Sequence, residues 1–234
     1  YPKPLMRSLL FPISCLFFFG CNVKENHVKH QVLKPAATAT IVISYDSCKN
    51  AIRLCKQKQK PVWNRLSKSE KEKILTSAVA ETIAPAWIGT SWNFYGTSET
   101  PRQGNIACGY FVTTVLRDAG LPISRIKLAQ CASEQMITSL IQHKYISRYS
   151  NIAMDDFIGS VRNQGYGLYI IGLDSHTGFI YNDGKEIYFI HASYIGSKTV
   201  QKEQAASNPI LKQSKYKVLG KISSDEQVLE QWIH

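Results

Sequence analysis

The stretch His176-Thr-Gly-Phe-Ile-Tyr-Asn-Asp-Gly-Lys-Glu-Ile-Tyr-Phe-Ile-His191 constrains the fold of this chain more than any other. Two runs rich in aromatic and β-branched residues flank Asp183-Gly184, the strongest short-range signal for a two-residue hairpin turn. Folding about that turn sets Asn182 opposite Lys185, Ile180 opposite Ile187, Gly178 opposite Phe189 and His176 opposite His191. Directly opposed residues share a face, with Cβ atoms about 5 Å apart. Buried polar rings need partners. Two imidazoles side by side therefore suit a base and the group that orients it.

The rest of the chain supplies helices for this sheet to pack on. Residues 44–60 read as a first helix, and Pro61 marks a break. Ser67-Lys-Ser-Glu70 is a capping box. It opens a helix whose stripe is Ile74, Leu75, Ala78, Val79, Thr82 and Ile83, with Pro85 as its end. Residues 86–106 are a loop rich in aromatics and glycine, the composition that lines ligand grooves. Cys108 begins the next helix, with Phe111, Val112, Val115 and Leu116 inward and Gly120 and Pro122 as the stop. Helices follow near 132–142 and 153–163, then strands at Leu168–Leu173, His176–Tyr181, Glu186–His191 and Tyr216–Ile222. Ser224-Asp-Glu-Gln227 caps a last short helix. Helices first and an antiparallel sheet after them predict an α+β fold.

A thiol at a helix N-terminus has its thiolate favoured by the dipole and by free N–H groups. Those groups also suit a developing oxyanion. Cys108 is thus a candidate nucleophile, with His176 as the base and His191 as the residue that orients it. The remaining cysteines fit other roles. Cys48 and Cys55, on one straight helix, would have Cα atoms about 10 Å apart, too far for a disulfide. Cys131 has no chemical companion nearby and reads as small, buried and inert. No Cys-x-x-Cys or other ligand spacing suggests a metal, and no cofactor is expected.

The 234 residues carry 28 Lys and Arg against 17 Asp and Glu, a net charge of +11. Met6-Arg7, the apolar run from Leu9 to Phe19 and Gly20-Cys21 describe a secretory signal. The run falls short of the roughly 20 apolar residues a membrane-spanning helix needs. Phe18-Phe19-Gly20-Cys21 resembles a bacterial lipobox, which implies cleavage before Cys21 and lipid on its sulfur. An ordinary cleaved signal and an uncleaved anchor are the other readings. Without Lys3 and Arg7 the mature chain keeps 26 basic against 17 acidic residues, a net of +9. Its positive charge gathers between Lys24 and Lys73, in a run poor in aromatics, and reads as a solvated basic face. The balance favours anionic partners, and no nucleic acid is expected. Residues 1–21 are therefore taken as a signal and 22–40 as a tether. Residues 41–234 form one domain with an N-terminal helical extension over about 41–85.

Asn105-Ile-Ala-Cys-Gly-Tyr-Phe-Val-Thr-Thr-Val-Leu-Arg-Asp-Ala-Gly-Leu-Pro resembles the nucleophile helix of the NlpC-type cell-wall cysteine peptidases. That family typically shows Asp-Cys-Ser-Gly-Phe-Val before an apolar helix ending in Ala-Gly-Ile/Leu. His176-Thr-Gly-Phe-Ile-Tyr with Phe-Ile-His-Ala-Ser resembles its His-Val-Gly-Ile-Tyr and Ile-His-Ala-Ser block. The resemblance spans roughly 90–195. It implies a papain-like fold, in which a Cys-bearing helix packs on an antiparallel sheet carrying both histidines. It also implies Cys108 as nucleophile, His176 as base and His191 as orienting residue. Ala107 stands where the family has Asp, and Gly109-Tyr110 where it has Ser-Gly. Trp92-Asn-Phe-Tyr-Gly96 loosely echoes its Tyr-x-Trp-Gly-Gly, which places Trp92 where a substrate-contacting Tyr would be; Tyr95, on the same aromatic loop, is a further candidate substrate contact. The expected activity is cleavage of an amide bond, in peptidoglycan stem peptides, by a lipoprotein of the bacterial cell envelope. Cys108-Gly109 with Leu116 and Gly120 also resembles the Cys-Gly helix of bacteriocin-processing cysteine peptidases, where Gln103 would be an oxyanion donor. A non-catalytic envelope lipoprotein, binding or assembling through the same fold, is the third reading.

Replacing Cys21 with Ser is expected to move the protein from the membrane fraction to the soluble periplasm or medium. A wild-type protein found soluble and unprocessed would contradict the lipoprotein reading.

Overall fold

The computed structural model describes residues 44–234. Cys15, Cys21 and the leader and tether expected over 1–40 lie outside the described residues.

α1 (Tyr45–Gln59) is capped by Ser44, whose hydroxyl accepts from Ser47 N–H. α2 (Lys68–Thr76) opens on the expected capping box between Ser67 and Glu70. It continues through a π-helical turn, Ser77–Ile83, into α3 (Ala84–Trp87). Pro85 therefore does not end this helix, against the sequence reading. The widened turn admits it, because the ladder is already out of step there. Ala84 N–H reaches back to Val79 O, and Thr82 Oγ1 donates to Ser77 O at 3.1 Å.

The loop that follows holds a short parallel pair, β1 (Ser91–Trp92) and β2 (Asn105–Ile106). α4 (Cys108–Asp118) begins at Cys108, as the sequence predicts, and the chain turns away at Gly120 with φ +94°. Next come α5 (Arg125–Ala129), α6 (Ser133–Leu140), β3 (Ile146–Ser150) and α7 (Met154–Gln164). β4 (Gly167–Leu173), β5 (Thr177–Asn182), β6 (Ile187–Ala192) and β7 (Val200–Gln204) follow. α8 (Pro209–Gln213), β8 (Tyr216–Gly220) and α9 (Glu226–Ile233) complete the chain. Asp225, one residue beyond the expected Ser224, caps α9 by accepting from Gln227 and Val228 N–H.

The architecture is α+β. The six-stranded antiparallel sheet has the order β3-β8-β4-β5-β6-β7. β4 and β5 are buried along their whole length, with helices on both faces. On one face Leu168, Ile170, Phe179, Ile190 and Val218 join a core with the N-terminal helices, α4, α6 and α9. On the other, Tyr169, Ile171, Ile180, Phe189 and Leu219 pack with α7 and α8. Strands covered twice read as near-continuous apolar runs, which is why these were legible. β3 and β7, at the two edges, were not foreseen. Ile-Ser-Arg-Tyr-Ser and Val-Gln-Lys-Glu-Gln carry too little apolar alternation to announce a strand.

α4 lies on β5, with Phe111 and Phe179 meeting edge to face at 5.9 Å. Its far end is held by Tyr45 OH donating to Asp118 (2.6 Å), Trp87 Nε1 to Tyr45 (2.9 Å) and Trp232 Nε1 to Ala119 O (2.6 Å).

The central hairpin forms, but its register differs from the sequence reading. Asn182 pairs with Ile187, Ile180 with Phe189, and Phe179 with Ile190. The two loop residues are Gly184-Lys185, closed by Asp183 N–H on Glu186 O at 3.1 Å. The Asp183 carboxylate accepts from Lys185 and Glu186 N–H at 2.8 and 2.7 Å, and Gly184 takes φ +93°. Asp183 thus acts as a side-chain cap outside the turn, and glycine falls at the first loop position. Moving the turn by one residue moves the pairing by two, which keeps every side chain on its face. His176 and His191 are therefore diagonal neighbours, and Gly178 lies between them.

A Cβ at Gly178 would stand 2.7 Å from Phe189 Cε2, 2.8 Å from His191 Cβ and 2.9 Å from Ile190 O. Gly178→Ala is expected to destabilise the protein by about 1–3 kcal/mol through this overpacking. The shift of the denaturant midpoint measures it, and an unchanged midpoint would contradict the close approach.

Candidate active site

The site gathers where the N-terminus of α4 meets the β4–β5 bend. Ala107 precedes α4 with φ −81° and ψ 159° and has no side chain able to cap it. The first-turn N–H groups are thus left to Cys108 itself and to whatever enters. The approach to the helix is fixed by Ala107 N–H on Gly96 O at 2.9 Å. Gly109 is required by packing, since a Cβ there would meet Ala129 O at 2.5 Å. That close approach of α4 to α5 leaves no room for a serine at this position.

Burial raises the Cys108 thiol above its ordinary range, while the backbone N–H groups of Thr177, Gly109 and Cys108 pull the other way. Thr177 is the neighbour of His176, and its hydroxyl donates to Ile171 O at 2.8 Å, fixing the bend. Cys108 and His176 line one cavity of about 490 Å³, together with Cys131, Glu134, Asp174 and Tyr216. Its two carboxylates are already satisfied. Glu134 takes Arg148 Nε at 2.7 Å, and Asp174 takes Lys215 and Tyr216 N–H at 2.7 and 3.1 Å. Both are held below the usual carboxylate range, chiefly by Arg148 and by the Lys215 N–H respectively. A second cavity of about 480 Å³, between α6 and α9, includes His143 but no cysteine.

His176 and His191 are both buried. The rings stand perpendicular, centroids 5.1 Å apart, with His176 Nε2 2.9 Å from His191 Nδ1. Phe189 stacks on His191 at 3.9 Å, and Tyr194 meets the His176 ring edge to face at 5.2 Å. Burial pushes both imidazoles well below their ordinary range, and the adjacent His191 adds to the effect on His176. Against this, Glu203 Oε2 lies 2.9 Å from His191 Nε2 and favours a proton there.

The sequence-predicted residues are thus placed as follows. Cys108 and His176 share a cavity, and His176 is joined to His191. Trp92 reaches this group through Tyr194, with ring centroids 6.0 Å apart. Tyr95 is 84% exposed and meets Phe94, itself 72% exposed, edge to face at 5.1 Å. Gln103 is exposed on the same loop. Cys131 departs from its expected burial. It is only partly buried, lines the cavity and donates to Leu128 O at 3.2 Å. Cys48 and Cys55 are free, as their spacing requires. Glu203 was missed because its strand was. Its place on the face of His191 follows from the β6–β7 register, in which His191 pairs with Gln201, two residues before Glu203. Among the described residues no group of three or more metal-ligating side chains is assembled. No described helix is long and apolar enough to cross a membrane.

Comparison of the chain with protein-family models, with curated proteins and with solved structures finds no match.

Unfolded imidazoles take up protons below about pH 6.5, whereas the buried pair resists them. The unfolded state then binds more protons, so stability falls as pH drops through 6.5. Thermal melts between pH 7 and 5, above the carboxylate range, are expected to show this slope. His176→Gln is expected to flatten it, and an equal slope in both proteins would contradict a neutral buried pair.

Proposed function

We propose that this protein is an exported, lipid-anchored cysteine hydrolase of the NlpC-type, papain-like kind, cleaving an amide bond in peptidoglycan stem peptides. One observation carries the reading. A cysteine at an uncapped helix N-terminus shares a cavity with a buried neutral imidazole, and that imidazole is oriented by a second one. A protonated thiol that shares a cavity with a neutral base suits concerted activation better than a resting ion pair. His176 takes the Cys108 proton as sulfur attacks the carbonyl carbon. The first-turn N–H groups of α4 face the oxyanion that forms. His176 returns the proton to the departing amine, leaving a thioester on Cys108. A water, deprotonated by His176, then adds to the thioester. Collapse releases the carboxylic acid product, and the proton restores the thiol.

The basic mature chain and the exposed aromatics Phe94 and Tyr95 suit an anionic peptide polymer held outside the cavity. The bacteriocin-processing reading asks for an Asp bonded to the base, and here that partner is His191.

Purified peptidoglycan, digested and analysed by mass, tests the proposal. Released peptide fragments are expected with wild type and none with Cys108→Ala. His191→Ala is expected to be less severe, because that residue transfers no proton to substrate. Trp92→Ala should raise KM more than it lowers kcat. Equal activity of Cys108→Ala and wild type would remove the hydrolase assignment.

A further inference from the structure

The hydrogen bonds behind His176 run further than the two histidines, and each fixes the next. Asn208 caps α8, its Oδ1 accepting from Ile210 and Leu211 N–H at 3.0 and 3.1 Å. Those two donors settle the orientation of its amide, so Nδ2 is the end that points away. Nδ2 donates to Glu203 Oε2 at 2.9 Å, and the same oxygen lies 2.9 Å from His191 Nε2. A carboxylate oxygen only accepts, so His191 carries its proton on Nε2. Its Nδ1 is then a bare lone pair and must accept from His176 Nε2 at 2.9 Å. His176 in turn carries its proton on Nε2, and Nδ1 is left as its free basic nitrogen.

We infer that Glu203, locked by Asn208, is a positioning residue that sets the tautomer of both histidines and thereby leaves His176 Nδ1 as the site's base. The inference rests on the reading of Cys108 and His176 as nucleophile and base. Without an acceptor at residue 203, a neutral His191 is free to hold its proton on either nitrogen. With the proton on Nδ1, His191 would donate to His176 Nε2, and His176 would carry its own proton on Nδ1. The nitrogen needed to take the thiol proton would then be occupied. Glu203 reaches this position from β7, where it pairs with Phe189. It is thus the diagonal neighbour of His191, as His191 is of His176. Its side chain is 38% exposed, so the chain of bonds ends at solvent while the histidines stay buried.

Two substrate-free measurements on the full-length protein test this. Nitrogen NMR of histidine-labelled protein at neutral pH reports which ring nitrogen holds each proton. The rate of Cys108 alkylation by iodoacetamide, followed by peptide mapping to separate it from the other five cysteines, reports thiol activation. Wild type is expected to show His176 and His191 each protonated on Nε2 alone. Glu203→Leu is expected to show mixed tautomers at both rings, with alkylation at pH 7 slowed about tenfold or more. Glu203→Gln keeps an acceptor oxygen for His191 and Asn208. It is expected to keep the wild-type tautomers and a rate close to wild type, which separates loss of the acceptor from loss of the fold. Wild-type His176 protonated on Nδ1 would overturn the inference. So would Glu203→Leu with unchanged tautomers and alkylation. If the expected pattern appears while peptidoglycan stays intact, the inference stands and only the cell-wall substrate falls.

Discussion

Parity across three neighbouring antiparallel strands is the constraint on which the site depends. His176 precedes β5, His191 lies on β6 and Glu203 on β7, and each is the diagonal neighbour of the next on one face of the sheet. A slip of one residue at either pairing would turn a histidine or the glutamate to the opposite face. Diagonal placement also creates the packing problem that Gly178 solves. The residue directly across from His191 must yield space to its Cβ and to the Phe189 ring, and only hydrogen fits there.

Around that row, burial does most of the electrostatic work. Removing the imidazoles from water disfavours their charged forms, and the partial burial of Cys108 disfavours its thiolate. The candidate site is consequently neutral at Cys108 and at both imidazoles. The polar groups nearby are spent on geometry: Thr177 on the bend, Asp174 on the chain entering β8, Glu134 on Arg148. The N-terminus of α4 is the exception, because Ala107 offers no cap and its N–H groups remain for an oxyanion or the sulfur.

The entry to α4 is held by a different device. Arg125 is buried and donates to Thr114 Oγ1 at 2.7 Å, Thr97 O at 2.9 Å and Ser98 O at 3.0 Å, and it lies over the Tyr110 ring at 4.8 Å. One guanidinium thus joins the loop ahead of Cys108 to the middle and the first turn of its helix. Its planar set of donors suits this kind of bridging. The contact of Gly109 with Ala129 O presses α5 onto the same turn. Cys108 therefore sits on a helix clamped at both ends, by these contacts at its start and by Tyr45, Trp87 and Trp232 at its finish.

Much of this arrangement was legible in the amino-acid order alone. The apolar period placed the start of α4 at Cys108, the capping box placed the start of α2, and two apolar runs around Asp183-Gly184 announced a hairpin with both histidines on one face. These features are local: each depends on side chains a few residues apart. The exact register was not local, because Asp183 could serve as a turn residue or as the cap outside the turn, and only the finished hairpin chose. Neither edge strand was legible, since a strand exposed along one edge needs little apolar alternation. Glu203 was lost with β7. Pro85 looked like a helix end because its conflict with an α-helical ladder is local, while the π turn that resolves it is shaped by packing. The sequence determined which side chains were available and on which faces they would lie. The tertiary structure alone decided that a cap on α8, a glutamate on an edge strand and two buried rings would meet in one hydrogen-bonded row. Those contacts join segments distant in the chain, and the geometry of the packed sheet brings them within bonding distance.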